Sequence, residues 1–262
     1  MYAQGLATIV VCEAYGMTVD PKLKGPAQKA IDFVVDAQHE KGGWRYTPKE
    51  PGDTSVTGWQ VHALRAGQLA GLKIPKATLD NVNKFLDSVE AENGYGYGYT
   101  APTDLPTTTA VGVSCRLALG ASVDDKATKA CVNTLRNYPP GVINSMYYYF
   151  YATPVLYRIG GERWGVWNEK MRDRLIDKQD KGDTPKHAHQ KGSWSPEGDA
   201  HGLQGGRIMQ TSLSLLTLEV YYRYPREVSN EVDKRGGDRP PARYHLSRDF
   251  GRGRHAGLRP RR

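Results

Sequence analysis

The chain has 262 residues, of which 39% are hydrophobic and 24% charged, a composition typical of a globular protein. Its net charge of +8 is concentrated at the C-terminus, because 12 basic and five acidic residues fall from Arg223 onward and the remainder carries only +1. We therefore expect no specific nucleic-acid groove in the folded part. Three cysteines without paired spacing are predicted to be small buried residues; they are Cys12, Cys115 and Cys131.

Nothing in the sequence indicates insertion into a membrane. Apolar runs such as LATIVVC are too short to span a bilayer, and the N-terminus lacks the basic region and cleavage site of a signal peptide. We expect no transmembrane segment and, by default, a cytoplasmic location.

Hydrophobic periodicity predicts an all-α fold. Gly16 is expected to end the first helix, Pro154 to kink or break a later one, and residues 180–206 to form a long polar loop. The predicted helices cover residues 3–16, 25–39, 55–70, 76–91, 107–119, 124–137, 144–159, 163–179 and 208–223.

The stretch from residue 33 to residue 60 connects two of these helices and has a distinctive pattern. Gln38 is placed to bond the last carbonyls of the preceding helix, and Gly42 to adopt a positive φ just after it. Trp44 is expected to cover apolar surface, and Asp53 to cap the following helix. We call such a connection a joint.

The joint recurs, which predicts a stack of helical hairpins with a period of roughly 50 residues. Adding 52 relates three identical pairs, namely Phe33 and Phe85, Gly42 and Gly94, and Thr57 and Thr109. The same offset makes Gly96 the counterpart of Trp44. It also places GYGYGYT (94–100) in the second joint, so we predict a loop there and not a strand. A third copy keeps Gln179, Gly192 and Trp194.

The pattern Phe33-Val34-x3-Gln38-x3-Gly42-x-Trp44 resembles the QW motif of squalene and oxidosqualene cyclases. More broadly, the chain resembles the prenyltransferase and squalene oxidase repeat family. The resemblance covers about residues 2–224 and implies an α/α toroid. Because nine helices are predicted and a family toroid has about twelve, we expect a partial α/α barrel of helical hairpin repeats, either a fragment or an open array.

Residues 225–262 differ from the rest of the chain. They contain few apolar residues and much Arg, Gly and Pro, so this basic tail is predicted to be disordered.

The activities of the family do not carry over to identifiable residues. The chain has no Asp-x-Asp-Asp acid motif, no Asp-rich metal motif and no Asp-x-Cys step, and no metal or cofactor is predicted. Asp53 is the candidate catalytic acid, although capping of its helix is the simpler interpretation. His187, His189 and His201 are interpreted as solvated loop residues rather than metal ligands.

A ligand cavity is predicted from the aromatic residues near the joints, although loop packing alone also explains the tyrosines. The candidate lining residues are Trp44, Trp59, Tyr95, Tyr97 and Tyr148.

Three hypotheses for the function remain open. The first is a non-catalytic scaffold with an apolar concave face that binds an isoprenoid, another apolar ligand or a protein partner. The second is a fragment of an isoprenoid enzyme similar to squalene-hopene cyclases. The third is a degraded gene product without activity.

Overall fold

The computed structural model describes residues 1–223, and the regular secondary structure of this part of the chain is helical. The predicted tail, 225–262, lies outside the described residues. A short 3₁₀ helix, Ala188–Gln190, precedes the ninth α-helix. The α-helices are α1 (Tyr2–Thr18), α2 (Pro21–Asp36), α3 (Thr54–Leu69), α4 (Lys76–Val89), α5 (Pro106–Ala118), α6 (Lys126–Arg136), α7 (Met146–Ile159), α8 (Gly161–Lys178), α9 (Gly202–Leu218) and α10 (Val220–Arg223).

Polar side chains define the start of several helices. Asp20 accepts a hydrogen bond from the amide of Lys22 at 2.9 Å at the start of α2. Ser145 accepts one from the amide of Tyr148 at 3.2 Å at the start of α7. These bonds satisfy amide groups that have no partner within the helix.

Several helices differ from the predictions, by up to a few residues at their ends. Helix α1 continues past Gly16 and ends where Val19 adopts a left-handed φ of 55°. Helix α7 runs through Pro154 to Ile159; it is buried on nearly all sides, so packing offsets the one helical bond that the proline cannot make. Helix α9 begins with a short segment at Gly202, inside the predicted loop, and Gly206 with a φ of 69° separates this segment from the main helix, which starts close to the predicted residue 208.

The odd-numbered helices lie side by side in chain order. Helix α1 contacts α3, α3 contacts α5, α5 contacts α7, and α7 contacts α9. We call these five helices the odd row. The even-numbered helices α2, α4, α6 and α8 each pack against a neighbouring helix of this row.

Small residues bring α3 close to its neighbours. A Cβ atom added to Gly58 would lie 2.5 Å from a methyl group of Val111 on α5. At Gly67 it would lie 2.6 Å from Cδ1 of Ile31 on α2. Larger side chains at these positions would push the helices apart.

The last described helix returns to the first. The guanidinium of Arg223 on α10 lies 2.6 Å from a carboxylate oxygen of Glu13 on α1. On the same helix, the ring of Tyr221 meets that of Tyr157 on α7 at 6.2 Å between centroids. Helix α10 therefore contacts both the beginning of the odd row and a helix late in it.

Candidate functional site

Three joints share one backbone geometry. They follow α2, α4 and α8, and each contains a glycine with positive φ: 97° at Gly42, 70° at Gly94 and 83° at Gly192. The amide of each glycine donates a 2.8 Å hydrogen bond to a carbonyl near the end of the preceding helix. The accepting residues are His39, Ala91 and Asp180.

In each of the three joints, the backbone amide of an aromatic residue donates a hydrogen bond to a threonine on the following helix. Trp44 donates to Thr57 Oγ1 at 3.0 Å. The other two bonds run from Tyr97 to Thr109 at 3.0 Å and from Trp194 to Thr211 at 3.1 Å. The predicted match of Trp44 with Gly96 is therefore wrong, because the second joint has one extra residue between its glycine and its aromatic residue.

The two tryptophans also make the same indole contact. The Nε1 group of Trp44 donates to the carbonyl of Val34 at 2.8 Å, and that of Trp194 donates to the carbonyl of Leu175 at 2.8 Å. Both rings are buried, with exposed fractions of 1% and 4%. They cover the end of the preceding helix and satisfy one of its carbonyls.

The glutamines of the first and third joints act alike, but Gln38 bonds a carbonyl of its joint and not, as predicted, the last carbonyls of α2. Gln38 Nε2 donates to the carbonyl of Gly42 at 2.8 Å, and Gln179 Nε2 donates to that of Gly192 at 3.0 Å. Glu90 replaces them in the second joint, where its carboxylate lies 3.4 Å from the guanidinium of Arg116 on α5. Where the second joint has the carboxylate of Glu90 in place of a glutamine amide, the cation of Arg116 lies beside it.

Asp53 is a fully buried helix cap. Its Oδ1 accepts from the amide of Val56 at 2.8 Å, and its Oδ2 accepts from the hydroxyl of Tyr99 at 3.0 Å. Burial raises the pKa of this carboxyl, while these hydrogen bonds and the nearby Arg45 oppose the rise. Both oxygens are engaged within the protein, which is the geometry of a cap; a catalytic role for Asp53 stays a hypothesis.

Most of the predicted cavity residues do not share one surface. Trp44, Tyr97 and Tyr148 are at most 3% exposed. The hydroxyl of Tyr97 accepts from Arg116 at 3.2 Å, and that of Tyr148 donates to the carbonyl of Tyr138 at 2.9 Å. These three residues are packed in the core, whereas Tyr95 lies on a loop and is 52% exposed.

Trp59 belongs to an aromatic cluster between α3 and α7. Its ring stacks on Phe150 at 5.2 Å and meets Tyr151 at 5.8 Å and Tyr147 at 6.3 Å between centroids. We call these four residues the aromatic cluster. The run of aromatic residues 147–151 was visible in the sequence, but which of its members meet Trp59 depends on the packing of the odd row.

A neutral polar group adjoins the aromatic cluster, and the sequence did not indicate it. His62 Nε2 lies 3.0 Å from Ser114 Oγ on α5. Burial, with a smaller contribution from Arg223, lowers the pKa of His62 to about 4. Burial also raises the pKa of the neighbouring Cys115 thiol to about 12. At neutral pH the His62 ring and the Cys115 thiol are therefore both uncharged.

The histidines of the third joint show no metal-binding geometry. No group of three or more His, Cys, Asp or Glu side chains that could hold a metal ion occurs within residues 1–223. In the same part of the chain, no helix is both long and apolar enough to cross a membrane.

The sequence matches no protein-family model, and no curated protein matches it either.

Proposed function

We propose that the described chain is an arc of an α/α toroid of the prenyltransferase and squalene oxidase repeat type, with the odd row as its inner wall. The three equivalent joints support the repeat. The contact of Arg223 with Glu13 supports the curvature, because it brings the last described helix back to the first.

We further propose that this arc is a binding scaffold whose concave face takes an apolar ligand, such as an isoprenoid. The observation that carries this proposal is an exposed apolar stripe on α1. Leu6, Val10 and Met17 recur at helical spacing and are 44%, 67% and 55% exposed. They lie opposite the side of α1 that packs into the core, and exposed patches of this kind mark interaction sites.

The aromatic cluster extends the same apolar character along the odd row. Phe150 and Tyr147 are only partly buried, and the nearby His62 is neutral at pH 7 because its pKa is lowered to about 4. The enzyme alternative, a fragment of a squalene-hopene-cyclase-like protein, has weaker support, because both oxygens of Asp53 are already bonded.

Mass spectrometry of an organic extract of the purified full chain tests the scaffold. The variant Val10→Asp places a charge in the stripe, and Val166→Asp is its matched control, since Val166 is also exposed (50%) but lies on α8. We expect a stoichiometric apolar compound with the wild type and Val166→Asp, and a loss of at least tenfold with Val10→Asp.

An empty extract from folded wild-type protein would contradict the apolar ligand. If Val10→Asp then still weakened the binding of an identified protein, the stripe would be assigned to a protein partner instead.

A further inference from the structure

A cleft of 280 Å³ lies beside the third joint, far along the chain from the α1 stripe. The start of α7, the end of α8 and the middle of α9 form its walls. The rings of Tyr149 and Trp194 contribute apolar surface. Its polar groups include Arg174, Lys178, Asp199 and Gln210.

Two cations of the cleft lack a carboxylate partner. Arg174 and Lys178 are one helical turn apart on α8, and neither lies within 4.0 Å of a carboxylate oxygen in the part of the chain that the structure describes. Arg174 Nη2 donates to Asn144 Oδ1 at 2.8 Å, which fixes the guanidinium at the edge of the cleft. Burial and the positive charge of Arg174 lower the pKa of Lys178, while Asp199 opposes the shift. An anion between the two cations would relieve their repulsion.

The carboxylate of Asp199 accepts hydrogen bonds from other groups of the protein. It accepts from the amide of Met146 at 2.7 Å, from the amide of His201 at 2.9 Å and from Gln210 Nε2 at 3.2 Å. The other acid of the cleft, Glu197, is exposed at the rim. Asp199 therefore organises the wall of the cleft, while its charge still acts on Lys178 without forming an ion pair with it.

Gln210 is the buried polar group of the cleft. Its side chain is 6% exposed, and its Oε1 has no hydrogen-bond partner among the described residues. Asp199 holds the amide nitrogen, which fixes the orientation and leaves the oxygen as a free acceptor. A buried carbonyl oxygen without a partner is costly, so a ligand that supplies a donor would be favoured.

We propose that this cleft binds a small phosphate monoester that also carries a hydroxyl group. Arg174 and Lys178 hold the phosphate, and Gln210 Oε1 accepts a hydrogen bond from the ligand hydroxyl. Two cations suit a phosphate monoester, whose charge is about −1.5 to −2 at neutral pH.

The volume of the cleft fits this class of ligand. At 280 Å³ it is close to the lower end of small-molecule sites, which begin at about 300 Å³. The cleft shares no lining residue with the α1 stripe or the aromatic cluster, so the proposal does not depend on the function proposed above.

Isothermal titration calorimetry of the full chain at low ionic strength tests this proposal. The titrants are glycerol 3-phosphate, inorganic phosphate and glycerol. We expect saturable binding of both phosphates, tighter for glycerol 3-phosphate, and none of glycerol. Lys178→Met should weaken the binding of both phosphates by about tenfold or more, since it removes a charge-assisted contact. Lys170→Met is the control, because Lys170 is exposed on α8 but outside the cleft, and should leave affinity unchanged.

The variant Gln210→Met separates the two halves of the site. It should weaken the binding of glycerol 3-phosphate by about tenfold and leave the affinity for inorganic phosphate unchanged, because only glycerol 3-phosphate carries a hydroxyl on carbon. Absence of saturable phosphate binding, or equal affinities in Lys178→Met and Lys170→Met, would overturn the proposal. Equal losses for both phosphates in Gln210→Met would overturn the role of the hydroxyl.

Discussion

Replacing Thr57 with valine tests whether the joints stabilise the fold in the way their hydrogen bonds indicate. Thr57 is fully buried, and its Oγ1 accepts the amide of Trp44 at 3.0 Å. Valine has nearly the same shape but no acceptor, so the variant leaves a buried amide unpaired. Such a group costs about 1–3 kcal/mol, and Thr57→Val should lower the free energy of unfolding by that amount.

Thr217→Val is a matched control for this substitution. Thr217 is 1% exposed, but its hydroxyl donates only to the carbonyl of Leu213 within its own helix, at 2.7 Å. That carbonyl is inside α9, so loss of the hydroxyl leaves no amide without a partner. We expect the free energy of unfolding of Thr217→Val to stay within about 0.5 kcal/mol of wild type.

Urea denaturation followed by far-ultraviolet circular dichroism measures the difference. With a slope of about 2–3 kcal/mol/M, a loss of about 2 kcal/mol moves the midpoint of unfolding down by roughly 0.7–1 M. Thr109→Val should behave like Thr57→Val, because Thr109 is also fully buried and holds Tyr97 in the same way. If both variants matched Thr217→Val, the threonine bond would be unimportant and the reasoning refuted.

Two further predictions concern backbone strain and pH. Gly42→Ala should destabilise the protein far more than Gly192→Ala, for which roughly 1 kcal/mol is expected. Both glycines have positive φ, but they differ in the space around them. A Cβ atom added to Gly42 would lie 1.8 Å from the carbonyl oxygen of Asn81, whereas one added to Gly192 would have no atom within 4 Å. Equal midpoints of urea unfolding for these two variants would contradict the packing of the first joint against α4. His62 has its pKa lowered from 6.5 to about 4 in the fold, so its contribution to stability is present above pH 6.5 and lost as the pH falls toward 4. Because the ring is partly exposed, this loss is about 3 kcal/mol at most. Between pH 4 and 7, the free energy of unfolding should therefore change less with pH in His62→Gln than in wild type. The same pH dependence in both proteins would contradict the burial of the ring.

The helices and the joint pattern could be predicted from the sequence because they depend on local signals. Apolar residues at helical spacing placed α2 to α6, and the glycines of the joints marked where α2 and α4 end. The alternation in GYGYGYT favoured a strand, but the repeat placed it in a joint, and the structure has a joint there. The end of α1 was misplaced because Val19, not a glycine, adopts the left-handed conformation.

The candidate sites depended on packing and could be predicted only in part. Trp44 and Trp59 look alike in the sequence, yet one closes a joint and the other meets α7. The contact between His62 and Ser114 spans 52 residues, and neither residue belongs to a local motif. The cleft at Gln210 combines three helices with a joint, and no sequence spacing indicates which of their side chains meet.

The curvature of the odd row is the central claim of this account, and a crosslink across it is the most direct test. Glu13 and Arg223 pair at 2.6 Å between side chains, so the double variant Glu13→Cys/Arg223→Cys should be joined within one molecule by a short bis-maleimide. The native cysteines are buried, and burial raises the pKa of Cys12 to about 11 and those of Cys115 and Cys131 to about 12, so they should react slowly.

Peptide mapping by mass spectrometry identifies the crosslink, and Glu13→Cys/Lys170→Cys is the control, because Lys170 lies on the exposed side of α8. We predict a link between positions 13 and 223 in monomeric, folded protein, and none between positions 13 and 170. Folded protein in which both thiols are labelled singly and never linked would contradict the curved row, and with it the proposed concave face.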